Sequence, residues 1–263
     1  MHALTLSLLI CLTINTAAFV PAYVQQTDRL TDICYALTFV AVACYGVWQK
    51  GISLPKLTLL AMICLWALRL GTFLFIRIHE TGVDRRFDDI RNNLLYSGAF
   101  WLLQGVTVWI VMLPSTLFFA NRVKRICPLA YIAVALWLVG LIIETVADQQ
   151  KYRFITDPGN SGKWIDSGLW RYSRHPNYFG EILVWTGIYG YTLFGLNTTQ
   201  SLVGLISPAF ISLLLIFVSG VPPLEKKADQ RWGNNPQYQS YKAKTNLLIP
   251  WPPKKNNNNT STR

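Results

Sequence analysis

The sequence predicts an all-α, multi-pass integral membrane protein of seven spanning helices, N-terminus outside and C-terminus cytosolic. Three observations predict it. Apolar stretches of spanning length recur along the chain. Charged residues make up only 14% of it, against about 25% in an ordinary soluble domain. Lys and Arg gather on alternate sides of the apolar stretches.

The stretches are 4–24, 32–48, 57–78, 94–119, 129–148, 178–196 and 199–220. A hydrocarbon core of ~30 Å takes ~20 helical residues to cross, so the second stretch is somewhat short. Backbone N–H and C=O groups in lipid must be satisfied internally, which makes each span a helix. The first stretch resembles a signal peptide in position, but no Lys or Arg precedes it and its apolar run is long, so it reads as a retained span. No internal repeat stands out. Residues 1–250 read as one membrane domain, and 251–263 (WPPKKNNNNTSTR) as a low-complexity, disordered polar tail.

The charges set the orientation. With the N-terminus outside, the inner loops and tail hold 18 of the 24 Lys and Arg, namely Arg29, four in 77–91, five in 151–174 and eight after 220. The outer side holds Lys50, Lys56, Arg122, Lys124 and Arg125, and Arg69 lies within a helix. A formal charge of +11 would suggest nucleic acid for a soluble protein; beside spanning helices it is what the positive-inside rule produces, and no nucleic-acid partner is expected. All 13 Asp and Glu also fall on the inner side or at inner helix ends. Ionisable groups at that depth cost ~2.5–3.5 kcal/mol each and usually face a cavity or one another.

The five cysteines are odd in number and show no metal-ligand spacing, so neither a disulfide framework nor a metal site is indicated. No glycine-rich dinucleotide or phosphate-loop motif occurs, which excludes a soluble nucleotide fold. A nucleotide, if bound, is held by the helices themselves.

Candidate residues lie at the inner ends. In "GLWRYSRHPNYFGE" Pro176 fits the first helical position, where a missing N–H costs nothing. The free N–H groups behind it, flanked by Arg171, Arg174 and His175, suit an anion such as a phosphate; interfacial anchoring is the bland alternative. Asn177 and Glu181 share a face at i and i+4, with Tyr178 on the next stripe. An amide and a carboxylate so placed can read a carboxamide such as that of a nicotinamide, or else tie two helices together. Glu144 and Asp148 repeat the spacing on the fifth span, where like charges repel unless a ribose hydroxyl or a cation such as Arg69, Lys151 or Arg153 compensates. Asp32 and Tyr35 open the second span at the same depth, although Asp32 could serve only as a helix cap. Arg69 and Arg77 lie in the inner half of the third span, which continues into the charged loop "HETGVDRRFDDIR", a plausible lid. Near the C-terminus, Tyr238 and Tyr241 beside Lys242 and Lys244 suit stacking on a purine or association with anionic lipid.

At these residues the sequence resembles the membrane steroid 5-alpha-reductase family, its bacterial branch in particular, and more distantly the sterol C14 and delta-7 reductases. "GLWRYSRHPNYFGE", "ETVADQQKYRF", "SGVPPLEKK" and "YKAKTNLLIPW" carry the resemblance, which spans roughly 60–252. It implies NADPH as cofactor and hydride transfer to the activated C=C of an enone lipid such as a 3-oxo-delta-4 steroid. The first four spans would then face the lipid substrate, and the last three with 221–250 the cofactor. Asn177 and Glu181 would hold the nicotinamide end. Arg77, Glu144, Asp148, Arg153, Arg171, Arg174, His175, Tyr178, Glu225 and Tyr241 complete the implied cofactor set. Asp32 falls where steroid reductases place the glutamate that polarises the substrate carbonyl, with Tyr35 as the accompanying hydroxyl. Trp66, beside Arg69 in the substrate region, replaces the family's tyrosine. The "RHPxY" element also occurs in isoprenylcysteine and phospholipid methyltransferases that bind S-adenosylmethionine; their adjacent Glu-Glu pair is missing from "LEKKAD". A third alternative is a non-catalytic sterol-binding protein. The expected partners are a lipophilic small molecule and membrane lipid, with no obligate protein partner. The expected location is a bacterial inner membrane, or the endoplasmic reticulum in a eukaryote.

Overall fold

The computed structural model describes residues 2–27, 29–81 and 93–253. The charged loop beyond Thr81 and the polar tail beyond 253, both singled out above, lie outside them. Among the described residues every regular element is a helix, and the only strand-like feature is an isolated parallel bridge between Ser173 and Asn246. The helices are α1 His2–Val24, α2 Arg29–Trp48, α3 Leu54–Thr81, α4 Leu94–Val111, α5 Leu113–Ala120, α6 Ala130–Thr156, α7 Pro176–Thr192, α8 Thr198–Gly204, α9 Ile206–Leu213, α10 Val221–Trp232 and α11 Pro236–Lys244.

Among the described residues, six helical stretches are long and apolar enough to cross a membrane. Three of the seven expected spans differ from expectation. The fourth breaks at Met112 into α4 and α5, because Pro114 has no N–H to continue the ladder and instead sits in the first turn of a new helix. The sixth begins at Pro176 as its first helical position predicts, but α7 has 17 residues and ends in a single tight turn at Leu193–Gly195, shorter than the other candidate spans. The last stretch is assembled from α8, α9 and a π-helical turn, Leu214–Val218, rather than one continuous rod.

The chain divides into two compact units, residues 1–137 with 185–210, and residues 138–184 with 211–263. In the first unit, α1, α2 and α4 are joined by a buried amide network that sequence reasoning did not single out. Asn15, fully buried, donates to the Cys11 carbonyl at 2.8 Å and to Thr38 at 3.3 Å, and Gln104 donates to Asn15 Oδ1 at 2.9 Å. Within this network the Asn15 amide is satisfied at both its nitrogen and its oxygen, which is what makes such polar contacts tolerable in an apolar interior. Lys56, expected as an outer-loop charge, is instead buried and donates to the Phe119 carbonyl at 2.7 Å, close to the C-terminus of α5 where a cation is favoured.

In the second unit, the C-terminal segment folds back along 172–174. Asn246 accepts from the Arg174 N–H at 2.8 Å, and Ser173 Oγ donates to Leu248 at 2.7 Å. Trp170 Nε1 donates to the Ala147 carbonyl at 3.0 Å and fastens the 163–175 loop to α6.

Candidate functional site

The polar cluster of the second unit rests on a crossing of α6 and α7 that only glycine permits. A Cβ at Gly140 would stand 2.7 Å from the Gly180 carbonyl oxygen, and one at Gly180 would stand 2.6 Å from the Glu144 nitrogen. Small residues let two helix backbones touch, and here they set Glu144 against the turn of α7 that carries Asn177 and Glu181. Neither glycine was singled out from sequence; the signal was the small residue next to each acid, Gly140 four before Glu144 and Gly180 one before Glu181.

Along this crossing Glu144 and Asp148 are buried carboxylates, 2% and 8% exposed, and Glu181 is half-buried. Asn177 is half-buried, but its Oδ1 is fully covered and accepts no hydrogen bond. A buried amide oxygen without a donor forfeits about 1–3 kcal/mol, so it is either a defect or half of a contact completed by a ligand.

His175 and Arg174, at the entrance of α7, are tied to Glu225, and each keeps one buried nitrogen, Nδ1 and Nε respectively, without a partner. His175, 4% exposed, holds Glu225 Oε1 through Nε2 at 2.9 Å, and its ring lies parallel to Tyr178 with centroids 5.6 Å apart. Arg174 reaches Glu225 Oε2 at 3.4 Å and donates to the Lys242 carbonyl at 3.0 Å. Lys242 joins the same carboxylate at 3.3 Å. Glu225 between Arg174 and Lys242 is a carboxylate and can only accept, so His175 carries its proton on Nε2. Burial lowers the pKa of the imidazole, so the ring is neutral near pH 7 and Nδ1, itself buried without a partner, is an acceptor. This changes the expected role of His175. A phosphate offers oxygens and needs donors, whereas this nitrogen needs a donor from its ligand.

Tyr241 spends its hydroxyl on the Trp170 carbonyl at 2.8 Å, and burial pushes its phenol pKa up. Tyr238 is buried, with Trp164 at 5.4 Å and Trp232 at 5.8 Å, so it belongs to an aromatic wall and not to an open stacking platform. Arg153 and Arg171 are exposed.

The remaining candidates lie in the first unit. Arg77 meets Asp32 at 3.9 Å, both side chains partly exposed, so the cation assigned to the cofactor pairs with the acid assigned to the substrate carbonyl. Tyr35, half-buried, packs edge-on against Phe39 at 5.0 Å. Trp66 is fully buried between Phe39 at 4.9 Å and Trp185 at 4.8 Å, and its indole N–H has no hydrogen-bond acceptor. Arg69 is half-buried, its guanidinium 5.7 Å from the Phe73 ring centroid.

Comparisons with known proteins bear on this arrangement. The family described as "Protein of unknown function (DUF1295)" matches residues 18–245. An uncharacterized protein of Schizosaccharomyces pombe is 24% identical over 257 residues, covering 86% of this chain and 72% of that protein. The 3-oxo-5-alpha-steroid 4-dehydrogenase 1 of Macaca fascicularis is 32% identical over 125 residues, covering 47% of this chain and 41% of that protein. No solved structure matches the chain.

Proposed function

The chain belongs to the DUF1295 family, and from that premise we propose that it is an NADPH-dependent membrane oxidoreductase that reduces the activated C=C of an enone lipid, a 3-oxo-delta-4 steroid being the best candidate. The family is related to the steroid 5-alpha-reductases, and the partial match to a steroid 4-dehydrogenase supports the reaction class.

One observation carries the reading: the buried, unpartnered Oδ1 of Asn177, one helical turn before Glu181. The amide oxygen calls for an N–H donor, and a nicotinamide carboxamide supplies two. Glu181 is on the same face to accept the second. Glu144 and Asp148 are carboxylates of the kind that take ribose hydroxyls. The residues present therefore fit the dinucleotide. When bound, it supplies the hydride equivalent and leaves as NADP⁺.

The chain's own groups do the rest. Asn177 and Glu181 orient the ring. In the substrate region the Trp66 N–H, buried and without an acceptor, offers a hydrogen bond to a ketone oxygen, the role a tyrosine hydroxyl fills in the resembling enzymes. Such a donor stabilises the enolate that develops when the β-carbon is reduced. Tyr35 stands as the second donor, and Asp32, held by Arg77, steadies that end of α2. Water then protonates the α-carbon and completes a saturated ketone. The physiological setting consistent with this chemistry is a bacterial inner membrane, or the endoplasmic reticulum of a eukaryote.

The experiment is anaerobic NADPH oxidation by purified protein in detergent with progesterone, beside thermal-shift binding of NADPH, NADH and S-adenosylmethionine. NADPH binding with progesterone-dependent oxidation is expected. A shift with S-adenosylmethionine alone would replace the reading with a methyltransferase, and no shift with any of the three would leave a sterol-binding protein.

A further inference from the structure

In the second unit a cavity of about 240 Å³ lies between the end of α6, the 163–170 loop, α10 and α11. It is smaller than the roughly 300–1,000 Å³ that encloses a whole drug-sized ligand, so it suits one ring-bearing part of a larger molecule. Its walls are chiefly aromatic and apolar, with Trp164, Trp170 and Phe154 among them, while Lys163, Lys227 and Arg231 are cations on exposed residues at its border. Apolar walls under a cationic border select a flat hydrophobic group joined to an anion.

Three orphaned polar atoms narrow the class. Trp164 Nε1 and Arg174 Nε are buried donors with no acceptor, and His175 Nδ1 is a buried acceptor with no donor; all three residues line the cavity. A lipid phosphate supplies acceptors only and would leave the histidine nitrogen bare. A purine nucleoside supplies both kinds of group, ring nitrogens that accept and amino or ribose hydroxyl groups that donate.

We propose that this cavity takes the adenosine of the dinucleotide, with its 2′-phosphate against Lys163, Lys227 and Arg231, so that these three cations discriminate NADPH from NADH. The assignment rests on the reductase reading above and extends it to the far end of the cofactor. Glu225 becomes a positioning residue: by accepting from His175 Nε2 it presents Nδ1 as the acceptor. Lys163 already donates to the Gly159 carbonyl at 3.0 Å, whereas Arg231 only lies over the Trp232 ring at 4.9 Å, so Lys227 and Arg231 are the cleaner pair to replace.

The test is calorimetric titration of the full-length protein in detergent with adenosine 2′,5′-bisphosphate, adenosine 5′-monophosphate and short-chain phosphatidylglycerol. The bisphosphate should bind about tenfold or more tightly than the monophosphate, as expected for charge-assisted contacts to one extra phosphate. Lys227→Gln with Arg231→Gln should erase that difference and leave the monophosphate unchanged. Trp164→Phe, which keeps the ring and deletes the N–H, should weaken both nucleotides several-fold with an unaltered melting temperature. Failure of the bisphosphate to bind while NADPH still gives its thermal shift overturns the adenosine site and spares the reductase; failure of both removes both. Binding of the phosphatidylglycerol that blocks the cavity, with no nucleotide binding, identifies a lipid site and overturns the proposal.

Discussion

The Gly180 Cα lies so close to Glu144 that a methyl group on it would stand 2.6 Å from the Glu144 backbone nitrogen. Backbone cannot yield as a flexible side chain can, so Gly180→Ala must push α6 and α7 apart, at about 1–3 kcal/mol for an overpacked contact. The expected result is a lowered melting temperature together with loss of NADPH binding. Gly98→Ala is the control, since its Cβ would meet Phe19 at an ordinary 3.7 Å. Equal behaviour of the two variants would contradict the role of the crossing.

Asn177 should show stability and binding moving in opposite directions. Asn177→Leu removes a buried oxygen that lacks a donor, which should hold or raise the melting temperature of the ligand-free protein, by up to about 1–3 kcal/mol in stability. The same change should abolish the thermal shift given by NADPH. A variant that both melts lower and binds normally would show the amide to be structural.

His175 makes the protein acid-sensitive in a defined window. Burial pushes its pKa below the ordinary 6.5, with Lys151 and Arg174 assisting and Glu225 opposing. Below 6.5 the unfolded chain takes up a proton that the folded ring resists, so the contribution is complete above 6.5 and lost as the pH falls. Ordinary carboxylates have their midpoints lower, near about 3.9–4.3, so the upper part of the interval below 6.5 belongs to the imidazole. Melting curves should fall across it in wild type and flatten in His175→Gln. Parallel slopes would exclude the histidine as their origin.

Trp66→Phe deletes one N–H while keeping the edge-on contacts to Phe39 and Trp185. Steroid-dependent NADPH oxidation should drop by about 10²-fold, the loss typical of a single donor to a developing oxyanion, with NADPH binding intact. Unchanged turnover would move the carbonyl contact to Tyr35.

What local chemistry dictates was readable in the chain itself. Apolar length marks the spans, Pro176 opens α7, and the acids and amides stand at helix ends, because hydropathy, a fixed φ and a missing N–H are properties of each short window. Pro114 also carried the warning that the fourth span would break, although length alone hid it. Pairing was another matter. Nothing near Arg174 and His175 announces Glu225 fifty residues on, or Lys242 beyond it, so a cluster that reads as a phosphate grip proves to be an ion network around Glu225 that leaves one imidazole nitrogen and one guanidinium N–H without partners. Arg77 finds Asp32, and Tyr238 disappears between Trp164 and Trp232, for the same reason. Charge and aromaticity belong to a residue, but the partner that consumes them is chosen by three-dimensional packing, and what stays unconsumed, as at Asn177, Trp66 and Trp164, is visible only once every other bond has been made.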